Sequence, residues 1–197
     1  MILYLSIISI CISIIATLVT LIYKVDFLPV LGYTVLAVVA VILVDIIIAT
    51  IARLLPKKCA DHEKNIYIVS AGEKKFYEKL KIRKWKDYVP EIGHFTGFRK
   101  NKIADPKSVA YLDRFLLEIC YGEIGHFFSL FFGFAILLMF PLTKTWWAIS
   151  IPVAIINVLL NLPSLFILRY NSYKLEILRK STMKKQSREK KSAQDQE

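Results

Sequence analysis

Three cysteines, three histidines and seven glycines are few for a chain of 197 residues, and each shortage removes a class of function. Cys11, Cys59 and Cys120 stand far apart with no paired spacing, so neither a disulfide framework nor a zinc knuckle is indicated. The glycines form no phosphate-cradling loop. Three histidines are few for a membrane di-iron enzyme. No internal repeat is evident. Acidic residues are scarce as well: 16 Asp and Glu against 27 Lys and Arg leave a formal charge of +11.

Apolar residues are what the chain has in excess. They make up 55% of it, and the mean hydropathy is +0.47, too high for a soluble domain of this length. About 20 mainly apolar residues cross the roughly 30 Å of bilayer hydrocarbon. Residues 2–22, 30–55, 127–142 and 146–168 qualify or nearly qualify. The first run lacks a basic leading region and an evident cleavage site, so it reads as a retained span. The third is short unless its helix includes residues 119–126. The fourth opens on Trp146 and Trp147, read as an aromatic belt. The expected fold is an all-α integral membrane protein with four transmembrane helices.

Lys and Arg concentrate between the second and third spans and after residue 168, which places both termini and the long loop in the cytoplasm. Because these residues flank spans, anionic lipid headgroups fit them better than nucleic acid does. Four regions follow: a transmembrane hairpin (1–55), a cytoplasmic loop (56–107), the helices carrying the candidate chemistry with spans three and four (108–178), and a basic tail (179–197) expected to be disordered. In the loop, AGEKKFYEKLKIRKWK sets Phe76, Tyr77, Leu80 and Trp85 on a broad apolar face ringed by lysines. That is the pattern of an amphipathic helix lying in the membrane interface, and a generic surface helix is its plainer reading. Pro90, Gly93 and Gly97 break regular structure and put His94 on a loop. Asp105 and Pro106 are read as the N-cap and first residue of a helix running through His126 into span three.

Glu118, Glu123 and His126 stand just before FFSLFFGFAILLMF, where an unneeded charge is costly. On a helix Glu123 and His126 are neighbours at i, i+3, and Glu118, Gly122 and His126 form one row. Gly125, Ser129 and Gly133 form a second row of small residues suited to close helix packing. Asn157 and Asn161 share a face of the fourth span, with Pro163 nearby to open the backbone. Asp45 is a second intramembrane acid, either functional or a hydrogen bond between helices. The cluster has three readings: a histidine base held by a glutamate; half of a carboxylate di-metal site, which lacks its second Glu-x-x-His; or an interfacial structural network.

The ordered set of IRKWK at residues 82–86, Gly93-His94, Glu118 with Glu123-x-x-His126, Asn161-x-Pro163, and Arg169-Tyr170-Asn171 followed by Leu175 resembles the glycosyl-4,4'-diaponeurosporenoate acyltransferase family. These are bacterial enzymes that acylate the sugar of a carotenoid glycolipid. The similarity covers about residues 56–178. It implies a multi-pass enzyme of the bacterial cell membrane that acylates a hydroxyl of a lipid-linked sugar. In that setting His126 takes the acceptor proton, oriented by Glu123 or Glu118, and His94 is the rival base or polarises the acyl carbonyl. Arg83, Lys84 and Lys86, with Trp85 among them, would hold the phosphate of an acyl donor: acyl-coenzyme A, acyl carrier protein or phospholipid. Asn157, Asn161, Arg169, Tyr170 and Asn171 would meet the acceptor or an oxyanion, the last three being otherwise an interface anchor. Neither metal nor cofactor is called for. The alternative is a non-catalytic membrane scaffold or assembly subunit in which the polar cluster is structural.

Overall fold

The computed structural model describes residues 2–89, 103–139 and 143–194. Regular structure among them is helical: α1 (Ile2–Tyr23), α2 (Phe27–Leu54), α3 (Ala71–Lys79), α4 (Ile82–Trp85), α5 (Val109–Phe132) and α6 (Lys144–Gln194). A 3-10 stretch, Gly133–Leu138, follows α5 directly. Among the described residues four stretches are long and apolar enough to cross a membrane: Leu5–Tyr23, Phe27–Leu54, Val109–Leu138 and Lys144–Glu189. The third gains its length because residues 119–126 belong to its helix. The chain divides into two compact units, Met1–Leu54 with Ile124–Leu165 and Leu55–Glu123 with Phe166–Glu197. Helices α5 and α6 each contribute residues to both.

In the first unit α1 turns into α2 at Lys24, which takes a left-handed backbone with φ 52°. Ala16 and Ala37 are fully buried, in a core with Val30, Val41, Ile149 and Val153. Such small residues let helix backbones approach, which is how helices associate where lipid removes the hydrophobic drive. Leu18, Leu21, Leu43, Ile46, Ile47 and Ile51 are all more than half exposed. Water would penalise that surface, and lipid tails would not. Trp146 departs from the belt reading. It is buried, its indole N–H donates to the Ile136 carbonyl at 3.1 Å, and Tyr33 meets it edge-on at 6.4 Å. Only Trp147 of the pair is exposed.

The second unit has two small cores. Leu112, Phe115, Leu116 and Ile119 recur at helical spacing along α5 and pack with Leu175. Val69, Tyr77, Ile82, Ile167 and Tyr170 form the other. Ser70 caps α3, its hydroxyl accepting from the Glu73 N–H at 3.1 Å. Where one amphipathic helix was expected there are two, because Lys81 adopts a left-handed backbone with φ 54°. That break carries Ile82 into the core, while Tyr77 turns inward and Phe76 and Leu80 stay exposed. The four apolar residues therefore do not share one face.

Helix α5 begins later than Asp105 suggests. The Ser108 hydroxyl accepts from the Tyr111 N–H at 3.2 Å and acts as the cap, while Asp105 closes a preceding turn by accepting from Lys107 N–H. The tail expected to be disordered is helical through Gln194. Thr182 and Gln186 donate to the Pro106 and Lys107 carbonyls at 3.1 and 2.9 Å, and these contacts tie its first two turns down. His94, with Pro90, Gly93 and Gly97, lies outside the described residues.

Leu112 is 0% exposed, and truncating a fully buried leucine costs about 2–5 kcal/mol. Leu112→Ala should lower the unfolding transition of the detergent-solubilised protein clearly. Leu18→Ala, on an outward face, should shift the same transition far less.

Candidate functional site

Four polar side chains from three helices meet in the first unit: Asp45 on α2, His126 on α5, and Asn157 and Asn161 one turn apart on α6. Their hydrogen bonds have a direction that can be traced from a fixed point. The Asn157 amide N–H donates to the Ser129 carbonyl at 3.1 Å. A backbone carbonyl only accepts, so the nitrogen end of Asn157 must lie there and its Oδ1 must face Asn161. The Asn161 Nδ2 donates to that oxygen at 2.9 Å, and it also has the Asn157 carbonyl at 3.1 Å and the Asp45 Oδ2 at 3.0 Å as acceptors. With its nitrogen surrounded by acceptors, Asn161 presents Oδ1 to His126 Nδ1, 2.8 Å away. The proton of a neutral His126 therefore sits on Nδ1, and Nε2 keeps its lone pair.

Close packing protects this arrangement. A Cβ on Gly133 would crowd Asn157 Nδ2, so a larger residue there would push the amide aside. Gly125, one member of the same row, has only ordinary room, with Ala49 Cα 3.8 Å from where a Cβ would be. Gly133→Ala should displace the Asn157 amide, while the Asn157 carbonyl and the Asp45 carboxylate still accept from Asn161 Nδ2 and hold its direction. Nitrogen NMR of ring-labelled histidine in the full-length protein would read this. The neutral His126 signal should report the Nδ1–H form in the wild type and in Gly133→Ala, and a mixture of both forms in Asn161→Ala, which removes the acceptor of Nδ1–H.

The second unit is organised around Arg169. Its guanidinium grips Glu73 with both oxygens at 2.8 Å. It also donates to Glu123 Oε2 at 3.1 Å and to the Ile66 carbonyl at 2.9 Å. Four of its five N–H donors are thus engaged within the protein. Glu123 is 5% exposed, and its other oxygen is buried with no hydrogen-bond partner among the described residues. Burial alone would raise the Glu73 carboxyl, but hydrogen bonds from Arg169 and Tyr77 and the Arg169 charge outweigh it and hold the group below the usual range. Burial, followed by the Glu73 carboxylate, pushes the Tyr77 hydroxyl up, so it stays protonated and donates to Glu73. Burial, reinforced by Cys120 and Glu123, likewise raises Tyr67 to about 12, and its hydroxyl donates to the Cys59 carbonyl at 2.7 Å.

A carboxyl whose folded pKa is lowered stabilises the fold above its unfolded pKa and loses that contribution as pH falls through the folded value. Glu73→Gln should therefore melt earlier than the wild type at neutral pH. The gap should close as the pH drops below about 4, the ordinary glutamate range. A gap unchanged at acid pH would mean that the charge is not what Glu73 contributes.

The other candidates are spread over both units. Glu118 is half-buried in the second unit. Arg83 and Lys84 are exposed, Lys86 is half-buried, and Trp85 donates its indole N–H to the Leu80 carbonyl at 2.9 Å. Tyr170 is buried beneath Lys174, whose ammonium lies 4.2 Å from the ring centre, and Asn171 is half-buried. Sequence reasoning passed over two participants. Glu73 holds Arg169 across 96 positions. His62 lies 3.4 Å from Glu176 and 3.8 Å from Asp113, both of which also pair with Arg179. Neither follows a spacing rule; the one sequence signal that could have drawn attention to Glu73 is the capping pattern Ser70-x-x-Glu73. Among the described residues no group of three or more His, Cys, Asp and Glu side chains is arranged to hold a metal ion.

Residues 63–181 match the model of the family described as glycosyl-4,4'-diaponeurosporenoate acyltransferase. The matched region contains Glu73, Glu123, His126, Asn157, Asn161 and Arg169; it leaves out Asp45 and His62. No curated protein and no solved structure matches the chain.

Proposed function

The chain belongs to the glycosyl-4,4'-diaponeurosporenoate acyltransferase family, and from that premise we propose that it moves a fatty acyl group onto a sugar hydroxyl of a membrane glycolipid, with His126 as the general base. The observation that carries this reading is the hydrogen bond from His126 Nδ1 to Asn161 Oδ1 at 2.8 Å. It leaves the basic nitrogen, Nε2, at the free end of a ring held in place.

His126 Nε2 takes the proton of the acceptor hydroxyl. The oxygen forms a bond to the acyl carbonyl carbon, giving a tetrahedral intermediate. Collapse of that intermediate breaks the bond to the donor's leaving group, a thiolate from a thioester or an alkoxide from a phospholipid. The leaving group recovers the proton from Nε2. Throughout, the Asn161 oxygen accepts from Nδ1–H, so the ring does not turn when Nε2 is charged.

The exposed Arg83 and Lys84 support a role in binding the phosphate of the donor. The exposed Phe76 and Leu80 beside them support a place for α3 and α4 at a membrane surface. The excess of Lys and Arg in the 56–107 loop and the tail supports cytoplasmic termini in a bacterial membrane. The other base considered, His94, is kept as a comparison.

The test is acyl transfer to glycosyl-4,4'-diaponeurosporenoate in membranes containing the full chain. These are supplied in turn with a long-chain acyl-coenzyme A, acyl carrier protein and phospholipid vesicles, and the product is followed by mass spectrometry. Removing a general base costs about 10²- to 10⁴-fold in rate, so His126→Ala and His126→Gln should lose that much while remaining membrane-inserted. Full activity in His126→Gln, or its loss in His94→Gln alone, would move the base elsewhere.

A further inference from the structure

Asp45 is an acid inside an apolar span. Its neighbours on α2 include Leu43, Ile46 and Ile47, all more than half exposed on faces suited to lipid. A carboxylate there is costly unless something uses it. One oxygen, Oδ2, accepts from Asn161 Nδ2 at 3.0 Å. The other, Oδ1, is buried with no hydrogen-bond partner among the described residues. One of the two oxygens of this group is therefore unspent among the described residues, in surroundings where water does not supply the difference.

The unspent capacity stands one amide away from the proposed base. Asn161 bridges the two, with its nitrogen on Asp45 at 3.0 Å and its oxygen on His126 Nδ1 at 2.8 Å. When Nε2 takes a proton, His126 becomes a cation in low-dielectric surroundings, where a nearby negative charge counts for far more than in water. We infer that Asp45 is a positioning residue for His126: it acts through Asn161, holding the bridging amide with its oxygen toward the imidazole and countering the positive charge that the ring gains in the transition state. It touches neither substrate nor the reacting atoms. The inference rests on His126 being the base, and it assigns a role to a residue outside the matched segment 63–181.

The orientation of Asn161 is held twice, by Asp45 and by Asn157, and this makes the charge separable from the geometry. An asparagine at position 45 can still accept from Asn161 through its amide oxygen, but it carries no charge. An interaction needed only in the transition state affects kcat and leaves KM alone. The experiment compares wild type, Asp45→Asn, Asp45→Glu and His126→Gln as full-length proteins in membranes. The donor is a radiolabelled long-chain acyl-coenzyme A and the acceptor glycosyl-4,4'-diaponeurosporenoate.

For Asp45→Asn, kcat should fall by about 10- to 100-fold with KM unchanged, short of the loss in His126→Gln. Asp45→Glu, which keeps the charge on a longer arm, should recover part of that loss. Wild-type kcat in Asp45→Asn together with an inactive His126→Gln would overturn the role of Asp45 and leave the base standing. Activity in His126→Gln would overturn the base, and the role of Asp45 with it. A parallel rise in KM, or loss of the folded protein in Asp45→Asn and Asp45→Glu alike, would assign Asp45 to helix packing and overturn the inference.

Discussion

Acceptor-only atoms set the directions of the hydrogen bonds in the first unit's polar network: the Ser129 carbonyl fixes Asn157, and the Asn157 carbonyl and the Asp45 carboxylate fix Asn161. An asparagine amide is nearly symmetric in shape, and nothing local decides which end points where. Against Ser129 the nitrogen of Asn157 is forced to one side at 3.1 Å, and the choice then passes to Asn161 and on to the imidazole. Gly133 leaves room for the first of these contacts, since a Cβ there would crowd the Asn157 nitrogen. Backbone and carboxylate acceptors thus select the tautomer of His126 through the amide of Asn161. Buried networks are informative in this way because each group must be satisfied and few assignments satisfy all of them.

The second unit uses the opposite device. Arg169 does not pass on a direction; it collects acceptors. Glu73 from α3, Glu123 from α5 and the Ile66 carbonyl converge on one guanidinium from α6. A planar fork with five donors suits that task, whereas a lysine would offer a point charge and lose the two-pronged grip on Glu73. Of these partners Glu123 is buried, so removing Arg169 would strand its carboxylate away from water. Arg169 is thus already committed within the protein, which limits what it has left to offer a substrate.

Hydropathy is a property of consecutive residues, so all four apolar helices were legible in the sequence, and so was the continuation of the third back through residues 119–126. The Glu123–His126 and Asn157–Asn161 spacings were legible for the same reason, as they depend only on the helical repeat. Partners were not. His126 meets Asn161 across 35 positions and Arg169 meets Glu73 across 96, and only the packing of separate helices brings such residues together. The break at Lys81 was hidden because a left-handed lysine has no local signature. It occurs where burying Ile82 outweighs the strain of the turn. Ser108 displaced Asp105 as the cap because both are good capping residues and only the geometry of the following turn distinguishes them. The tail composition suggested disorder, yet anchoring by Thr182 and Gln186 is a tertiary effect that composition does not record.

The position of Asp45 bears on ancestry. The segment shared with the family begins at residue 63, whereas the carboxylate that meets Asn161 comes from α2, in the preceding hairpin. What is inherited as a recognisable stretch and what hydrogen-bonds together as a site are therefore different sets of residues. A protein trimmed to the shared stretch would keep the imidazole and both asparagines and lose the carboxylate that accepts from Asn161. Relatives with unrelated leading helices would have to place an acid there by a different route, or run the same residues without one.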